Sequence, residues 1–291
     1  MIKGSIVALI TPFNEDGSIN YSRLRELIDW HIENKTDAIL VLGTTAETPT
    51  FSMQEEEEIV RTAVDQAKGR VPIIAGSGSN NTAKAIERSV KYEKLGADAL
   101  LVITPYYNKT NKAGMINHFT QVADSVNTPI LVYNVPGRTG VKLSYGELEE
   151  ISKLKNIIGI KEASGDMGLV CQFSKLISDD FNIYSGNDDI NVPVLSMGAA
   201  GVISVLANML PRETHDMAMA YLEGNVRKAR EMQTKYMDLI NALFIETSPI
   251  PIKEAMNLMG LDVGGYRPPL YKMADENKAI LVSAMKKLEL L

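Results

Sequence analysis

The sequence predicts an α/β fold, a (β/α)8 TIM barrel with a C-terminal helical extension. Eight short apolar runs rich in β-branched residues alternate with amphipathic segments, which is typical of parallel strands joined by helical crossovers. After the eighth run the pattern is helical only. The chain has 291 residues, enough for one large α/β domain and a small appendage. We therefore expect a barrel catalytic domain over residues 1–225 and a C-terminal helical region over residues 226–291.

Each predicted strand is a continuous apolar run, which indicates burial on both faces. In chain order the runs are residues 5–10, 38–42, 71–75, 99–103, 129–133, 157–161, 182–185 and 201–205. Between them, Ser52 with Glu55 and Ser144 with Glu147 have the spacing of a capping box, and Gly96 marks a helix end. Beyond the last run we expect helices over residues 226–244 and 274–288. A doubly wound open sheet is the competing fold, but it needs a glycine-rich turn after the first strand, where this chain has Thr11-Pro12-Phe13.

Composition excludes several classes of function. The chain is 45% hydrophobic and 23% charged, which is ordinary for a soluble globular protein. Its net charge of −6 argues against nucleic acid or an anionic membrane surface as a partner. The single cysteine, Cys171, excludes an intramolecular disulfide and fits a reducing compartment. With no apolar stretch long enough for a leader or a membrane span, we expect a cytoplasmic protein.

In a TIM barrel the chemistry lies at the carboxyl ends of the strands, and polar residues collect there in this sequence. The fifth and sixth strands end with Tyr133 and Lys161 and should be neighbours. A buried lysine is biased towards the neutral amine, a nucleophile that forms a Schiff base with a carbonyl. A tyrosine beside it could serve as general acid and base. The alternatives are a lysine that reaches solvent or Glu47, a core tyrosine, and a simple strand-end turn at Thr44-Thr45.

Metal chemistry has no visible ligand set. The three histidines, His31, His118 and His215, fall in helical patterns without ligand spacing, so no zinc site is predicted. We expect each of them to be a surface or half-buried helix residue. The acidic run at residues 55–58 reads as a solvated first helical turn, favoured by the helix dipole.

Three separated motifs resemble the class I pyruvate-dependent aldolase family that includes 4-hydroxy-tetrahydrodipicolinate synthase and N-acetylneuraminate lyase. They are Gly-Thr-Thr-Ala-Glu at residues 43–47, Tyr-Asn-Val-Pro-Gly-Arg-Thr-Gly at 133–140 and Gly-Ile-Lys-Glu-Ala-Ser-Gly-Asp at 159–166. The resemblance covers nearly the whole chain. Within the family, the Gly-Arg-Thr-Gly element at 137–140 favours the synthase.

The resemblance implies that Lys161 forms an imine with pyruvate, without a metal or another cofactor. The remaining site residues follow from it: Thr44, Thr45 and the backbone of Ile203 would hold the pyruvate carboxylate, with Gly186 as a further substrate-binding residue, and Tyr133, Thr44 and Tyr107 would relay protons. Arg138 would bind the carboxylate of L-aspartate 4-semialdehyde, for which guanidinium offers a bidentate fork. The expected product is 4-hydroxy-tetrahydrodipicolinate, in lysine and diaminopimelate biosynthesis. Since Tyr107 reaches a neighbouring subunit in this family, we expect a homotetramer (a dimer of dimers) or a homodimer.

Two departures from the family pattern stand out. Ala46 replaces a usual glycine, so the loop could be re-shaped if that position needs φ > 0. Met53, Glu56 and Lys84 replace the two histidines and the glutamate of lysine-inhibited relatives, so we expect weak or absent inhibition by L-lysine. The other functions considered are another class I pyruvate aldolase, such as N-acetylneuraminate or 2-keto-3-deoxy-sugar-acid lyase, and a non-catalytic barrel acting as a ligand sensor or scaffold.

Overall fold

The computed structural model describes residues 2–291 and contains a closed barrel of eight parallel strands in chain order. This confirms the predicted (β/α)8 barrel. The strands are β1 (Gly4–Ala8), β2 (Ala38–Val41), β3 (Ile73–Gly76), β4 (Ala99–Ile103), β5 (Ile130–Asn134), β6 (Ile157–Glu162), β7 (Asn182–Ser185) and β8 (Gly201–Ser204).

Helices follow the strands and then continue alone to the end of the chain. They are α1 (Tyr21–Glu33), α2 (Met53–Ala67), α3 (Thr82–Lys94), α4 (Lys112–Asp124), α5 (Pro136–Thr139), α6 (Tyr145–Ile151), α7 (Met167–Phe173), α8 (Asn191–Leu195), α9 (Pro211–Leu222), α10 (Val226–Leu243), α11 (Ile250–Leu258) and α12 (Asp275–Lys287). Both predicted capping boxes form, at Ser52 before α2 and at Ser144 before α6. Helices α10, α11 and α12 form the predicted C-terminal extension. No helix within residues 2–291 is both long and apolar enough to cross a membrane.

Predicted strand ends differ from the observed ones by a few residues. The first run extends to residue 10, yet β1 ends at Ala8, and Leu9 and Ile10 are buried outside the strand. An apolar run indicates which residues are buried, and residues here remain buried beyond the last one that belongs to the strand. The third run begins at residue 71, whereas β3 begins at Ile73, because Pro72 has no N–H to donate to the ladder.

Three expectations about exposure are wrong. His31 and His118 are buried, each with one ring nitrogen hydrogen-bonded to a threonine hydroxyl, and burial lowers their pKa values to about 3 and about 4. Glu56 is buried rather than solvated, since Arg88 and the Tyr92 hydroxyl bind its carboxylate. An acidic run on a helix does not reveal which of its members faces a neighbouring helix.

The register of β5 and β6 determines which side chains point into the barrel. Leu131 pairs with Gly159 and Tyr133 with Lys161, and Leu131 and Tyr133 belong to the inner apolar cluster. Since strand side chains alternate between faces, Lys161 faces the interior as well. Towards the amino ends of the strands, the Tyr184 hydroxyl donates to the carbonyl of Ile2 at 2.8 Å. The site of a (β/α)8 barrel is expected at the opposite, carboxyl end.

The C-terminal helices share a core with the barrel. Leu239 of α10, Ile252 of α11 and Leu281 of α12 belong to one buried cluster that also contains Ile10 and Leu27 from the first βα unit. The division at residues 225 and 226 stays a prediction. The shared core positions the C-terminal region beside the loops that follow β1 and β2.

Candidate active site

Lys161 lies buried at the carboxyl end of β6, with 6% of its surface exposed. Its ammonium nitrogen is 4.6 Å from the centroid of the Tyr133 ring on the neighbouring strand. The strand pairing that sequence predicted thus brings the two side chains together inside the barrel. Glu47 is not the partner of this lysine; its carboxylate binds Lys253 at 2.9 Å, so the predicted alternative pairing is wrong.

Burial lowers the pKa of Lys161 from 10.5 to about 8. The carboxylate of Asp188 opposes this shift, and the guanidinium of Arg138 reinforces it. A lysine in this range is neutral often enough near pH 7 to act as a nucleophile and can be reprotonated afterwards.

Asp188 is a member of the site that sequence reasoning missed. Its buried carboxylate accepts the backbone N–H groups of Val205 and Leu206, each at 2.9 Å, and the side-chain amide of Asn191 at 3.1 Å. It follows the end of β7 by three residues, and that position in a barrel was the available signal. Asp188 supplies the negative charge that keeps the pKa of Lys161 from falling further.

The Tyr133 phenol is also buried, and burial raises its pKa, while the guanidinium of Arg138 and the nearby hydroxyl of Thr44 oppose that rise. The phenol therefore keeps its proton at neutral pH and can donate it to an atom next to Lys161.

A cavity of about 400 Å³ opens at the carboxyl ends of the strands. Its wall includes Thr44, Tyr133 and Arg138, together with Leu42, Gly43, Thr48, Pro49, Gly76, Gly78, Ser79, Asn80, Lys84, Arg88, Leu101, Ile103, Tyr106 and Thr139. Among the described residues, Lys161, Thr45, Gly186 and Ile203 do not line it, and Lys161 instead lies against the Tyr133 ring. The cavity therefore ends at the tyrosine, with the lysine beside it.

The loop after β2 forms two 3-10 turns, at Thr44–Ala46 and at Thr48–Thr50. The backbone N–H of Glu47 donates to the Thr44 carbonyl at 3.2 Å, and the Thr48 hydroxyl donates to the Gly43 carbonyl at 2.9 Å. Glu47, with φ 65°, and Leu42, with φ 57°, are left-handed, and Ala46 is not among the residues of positive φ within residues 2–291. The condition under which Ala46 would be strained is therefore not met.

Gly186 borders the Lys161 side chain directly. A Cβ at this position would lie 2.7 Å from the Ala163 Cβ and 3.1 Å from the Lys161 Cε, while the Gly186 N–H donates to the Glu162 carbonyl at 2.7 Å. A side chain here would displace the lysine. Gly186 therefore leaves the space in which the lysine can carry a substrate.

The remaining predicted residues lie around this centre. Ile203 is buried in β8, paired in register with Ile6. The Arg138 guanidinium, on α5, donates to the Ser248 carbonyl at 3.1 Å and stays exposed to the cavity. Tyr107, after β4, is 90% exposed. Lys84 lines the cavity wall.

The described residues contain no group of three or more histidine, cysteine, aspartate or glutamate side chains that could hold a metal ion. The chemistry available at the site is that of an amine, a phenol, two threonine hydroxyls and a guanidinium. Together these groups can bind a carboxylate, form a carbon–nitrogen bond and move protons.

A closed (β/α)8 barrel with a buried lysine of lowered pKa at its carboxyl end has the architecture of a barrel enzyme. The profile of the Dihydrodipicolinate synthetase family matches residues 1–288. The 4-hydroxy-tetrahydrodipicolinate synthase of Clostridium perfringens (strain SM101 / Type A) is 52% identical over 286 residues, 98% of each chain. The chain belongs to the dihydrodipicolinate synthetase family and is an enzyme of that family, a lyase.

Two solved structures extend the similarity to the fold. One is the chloride-inhibited dihydrodipicolinate synthase from Acinetobacter baumannii complexed with pyruvate, with 38% identity, a TM-score of 0.97 and complete coverage of both chains (100%). The other is described as the first monomeric dihydrodipicolinate synthase variant, with 37% identity, a TM-score of 0.97 and coverage of 100% of this chain and 98% of that one.

Proposed function

We propose that this chain condenses pyruvate with L-aspartate 4-semialdehyde to give 4-hydroxy-tetrahydrodipicolinate, through an imine on Lys161. The observation that carries the proposal is the buried lysine of lowered pKa, with its nitrogen 4.6 Å from the Tyr133 ring. The names of the family and of the relatives favour the synthase over a sugar-acid lyase or a sensor.

In the proposed reaction the neutral Lys161 amine attacks the ketone carbon of pyruvate, and water leaves as the imine forms. Tyr133 donates a proton to the departing oxygen and accepts one back from solvent. Loss of a proton from the pyruvate methyl group gives an enamine, whose carbon attacks the aldehyde. The amine of the second substrate then attacks the imine carbon, closing the ring and releasing Lys161. No metal or organic cofactor is needed, because the protonated imine itself withdraws electrons.

Binding of pyruvate rests on the loop after β2. We assign its carboxylate to the hydroxyl and backbone N–H groups of Thr44 and Thr45, with help from the backbone at Ile203. Thr44 faces the cavity beside Tyr133, and Thr45 is buried in the middle of the same turn. Donors on a backbone turn bind a carboxylate without adding charge beside the lysine.

Arg138 is assigned to the carboxylate of the second substrate. Arg138→Lys keeps the positive charge that acts on Lys161 but loses the bidentate fork. We expect the KM for L-aspartate 4-semialdehyde to rise roughly 10- to 100-fold, with the KM for pyruvate nearly unchanged. Steady-state kinetics with each substrate varied would measure this. Arg212→Lys is a matched control, since its exposed guanidinium also donates to a backbone carbonyl, that of Glu33; equal effects on the two KM values would contradict the assignment.

Assembly follows from Tyr107. An aromatic side chain 90% exposed beside the cavity loop is suited to burial against a second copy of the chain. We infer that Tyr107 completes the proton relay of a neighbouring subunit, so that the working unit is at least a homodimer and in full a homotetramer. A cytoplasmic location accords with the exposed free thiol of Cys171.

The test is borohydride reduction in the presence of pyruvate, followed by peptide mass spectrometry. We expect one reduced pyruvate adduct per chain, on Lys161, because reduction converts the imine to a stable secondary amine. Folded protein without an adduct, or an adduct on another lysine, would overturn the proposed mechanism. Addition of the aldehyde before borohydride should remove the adduct by turnover, which tests the second substrate in the same experiment.

A further inference from the structure

The loop that carries Thr44 and Thr45 is held through Glu47. Glu47 ends the turn at Thr44–Ala46 in a left-handed conformation, φ 65°, and its N–H donates to the Thr44 carbonyl. Its side chain is completely buried (0% exposed). Because a left-handed conformation is unfavourable for a residue with a Cβ, surrounding contacts must impose it.

Those contacts come from the C-terminal region. The Lys253 ammonium, on α11, donates to Glu47 Oε1 at 2.9 Å, and the Arg267 backbone N–H donates to Glu47 Oε2 at 3.0 Å. The same ammonium donates to the Thr11 carbonyl at 3.1 Å, just past β1. One side chain of the C-terminal region therefore ties the ends of the first two strands to each other.

The environment of Lys253 is apolar. Its side chain is completely buried (0% exposed), and its nitrogen lies 4.0 Å from the centroid of the Phe13 ring and 5.6 Å from that of Tyr266. A buried ion pair of this kind is weak evidence for stability, since the loss of hydration offsets much of the attraction. The pair does fix the orientation of the Glu47 carboxylate, because one oxygen accepts from the Lys253 ammonium and the other from the Arg267 N–H.

We propose that the Lys253–Glu47 ion pair is a positioning device that places Thr44 and Thr45 for the pyruvate carboxylate. Neither residue lines the cavity, and both act through the turn that Glu47 ends. The inference rests on the proposed function above, in which these threonines hold pyruvate. It assigns the C-terminal region a part in substrate binding as well as in the shared core.

The test is the double variant Glu47→Gln/Lys253→Met, which removes both charges and nearly preserves side-chain volume. We expect the KM for pyruvate to rise at least about tenfold, since small displacements of a binding group are costly. At saturating pyruvate, borohydride should still trap the wild-type fraction of chains, because Lys161 is untouched. A role in stability alone would lower the trapped fraction and kcat and leave the KM unchanged.

The matched control is Glu254→Gln/Lys278→Met. Glu254 follows Lys253 on α11 and pairs with Lys278 of α12 at 2.5 Å, so this variant also neutralises one ion pair of the C-terminal region, with one of its two substitutions on α11. We expect its KM for pyruvate to equal that of the wild type. The other outcome is that Glu47→Gln/Lys253→Met also keeps a KM for pyruvate within about twofold of the wild-type value, while borohydride still traps the pyruvate adduct on the wild-type protein. That outcome would overturn the positioning role and leave the proposed function standing.

If wild type itself gives no adduct, the proposed function falls and the inference with it. A second variant, Glu47→Asp, keeps the test decisive if the buried double variant does not fold. It keeps the carboxylate charge but shortens the side chain by one methylene, which withdraws the oxygens from the Lys253 ammonium at 2.9 Å and from the Arg267 N–H at 3.0 Å. A raised KM for pyruvate supports the positioning role, and an unchanged one overturns it.

Discussion

Lys161→Met is expected to lower the condensation rate by at least about 10⁴-fold, because it removes the nucleophile and leaves only substrate binding. Methionine has nearly the length of the lysine side chain and no charge, so the burial beside Tyr133 is preserved. The variant should therefore fold and still bind pyruvate, without forming a borohydride-stable adduct. Residual activity within about a hundredfold of wild type would contradict a covalent role.

Lys175→Met is the matched control for this variant. The Lys175 nitrogen lies 5.8 Å from the centroid of the Tyr145 ring, so it forms a lysine–tyrosine contact of the same kind on the protein surface. We expect wild-type activity and a wild-type adduct from the control. A comparable loss in both variants would indicate that lysine–tyrosine contacts stabilise the protein rather than perform the reaction.

The same lysine sets the pH dependence of imine formation. With a pKa of about 8, roughly one amine in ten is neutral at pH 7, against about one in 3,000 at the ordinary value of 10.5. The rate of trapping at low pyruvate should therefore rise with pH through about 8 and level off above it. The shift also affects stability. Between about pH 8 and 10.5 the lysine is largely protonated in the unfolded chain and largely neutral in the folded one, so its contribution to the free energy of unfolding increases as pH rises through that window.

Periodicity and strand order were enough to predict the centre of the site. Parallel strands in chain order make β5 and β6 neighbours, and the period of two then places Tyr133 and Lys161 on one face. Pattern could not give the residues that support this centre. Lys253 and Glu47 are 206 positions apart in the chain, and Arg138 and Ser248 are 110 apart, so only the folded C-terminal region brings them together.

Local conformation was the second thing the sequence could not supply. In the turn at Thr44–Ala46 it is Glu47, the residue that ends the turn, that is left-handed, and not Ala46, where relatives have a glycine. A glutamate adopts this conformation because Lys253 and the Arg267 N–H hold both of its oxygens. Glu56 on α2 is a second example: it belongs to an acidic run but is buried, because Arg88 and Tyr92 of α3 bind its carboxylate.

Lys253→Met alone is expected to lower the free energy of unfolding by about 3–5 kcal/mol, because it leaves the Glu47 carboxylate buried without its countercharge. The Arg267 N–H still binds one oxygen but brings no full charge. Urea unfolding, followed by two spectroscopic probes, would measure this loss of unfolding free energy from the shift in the denaturation midpoint, provided that the m value stays constant. Lys287→Met provides the comparison, since its pair with Asp238 has the same 2.9 Å length but side chains that are 65% and 68% exposed. An equal shift in the two variants would contradict the argument.

The double variant separates the charge from the shape of the buried pair. If the unpaired carboxylate causes the loss, adding Glu47→Gln to Lys253→Met should recover most of the unfolding free energy, because a neutral amide costs far less to bury. The coupling between the two substitutions would then be large and of the sign expected for contacting residues. A double variant that regains stability but keeps a raised KM for pyruvate would show that this ion pair contributes chiefly to the geometry of the Thr44 turn. A double variant less stable than the single one would instead place the stabilising contribution in the hydrogen bonds of Glu47 itself.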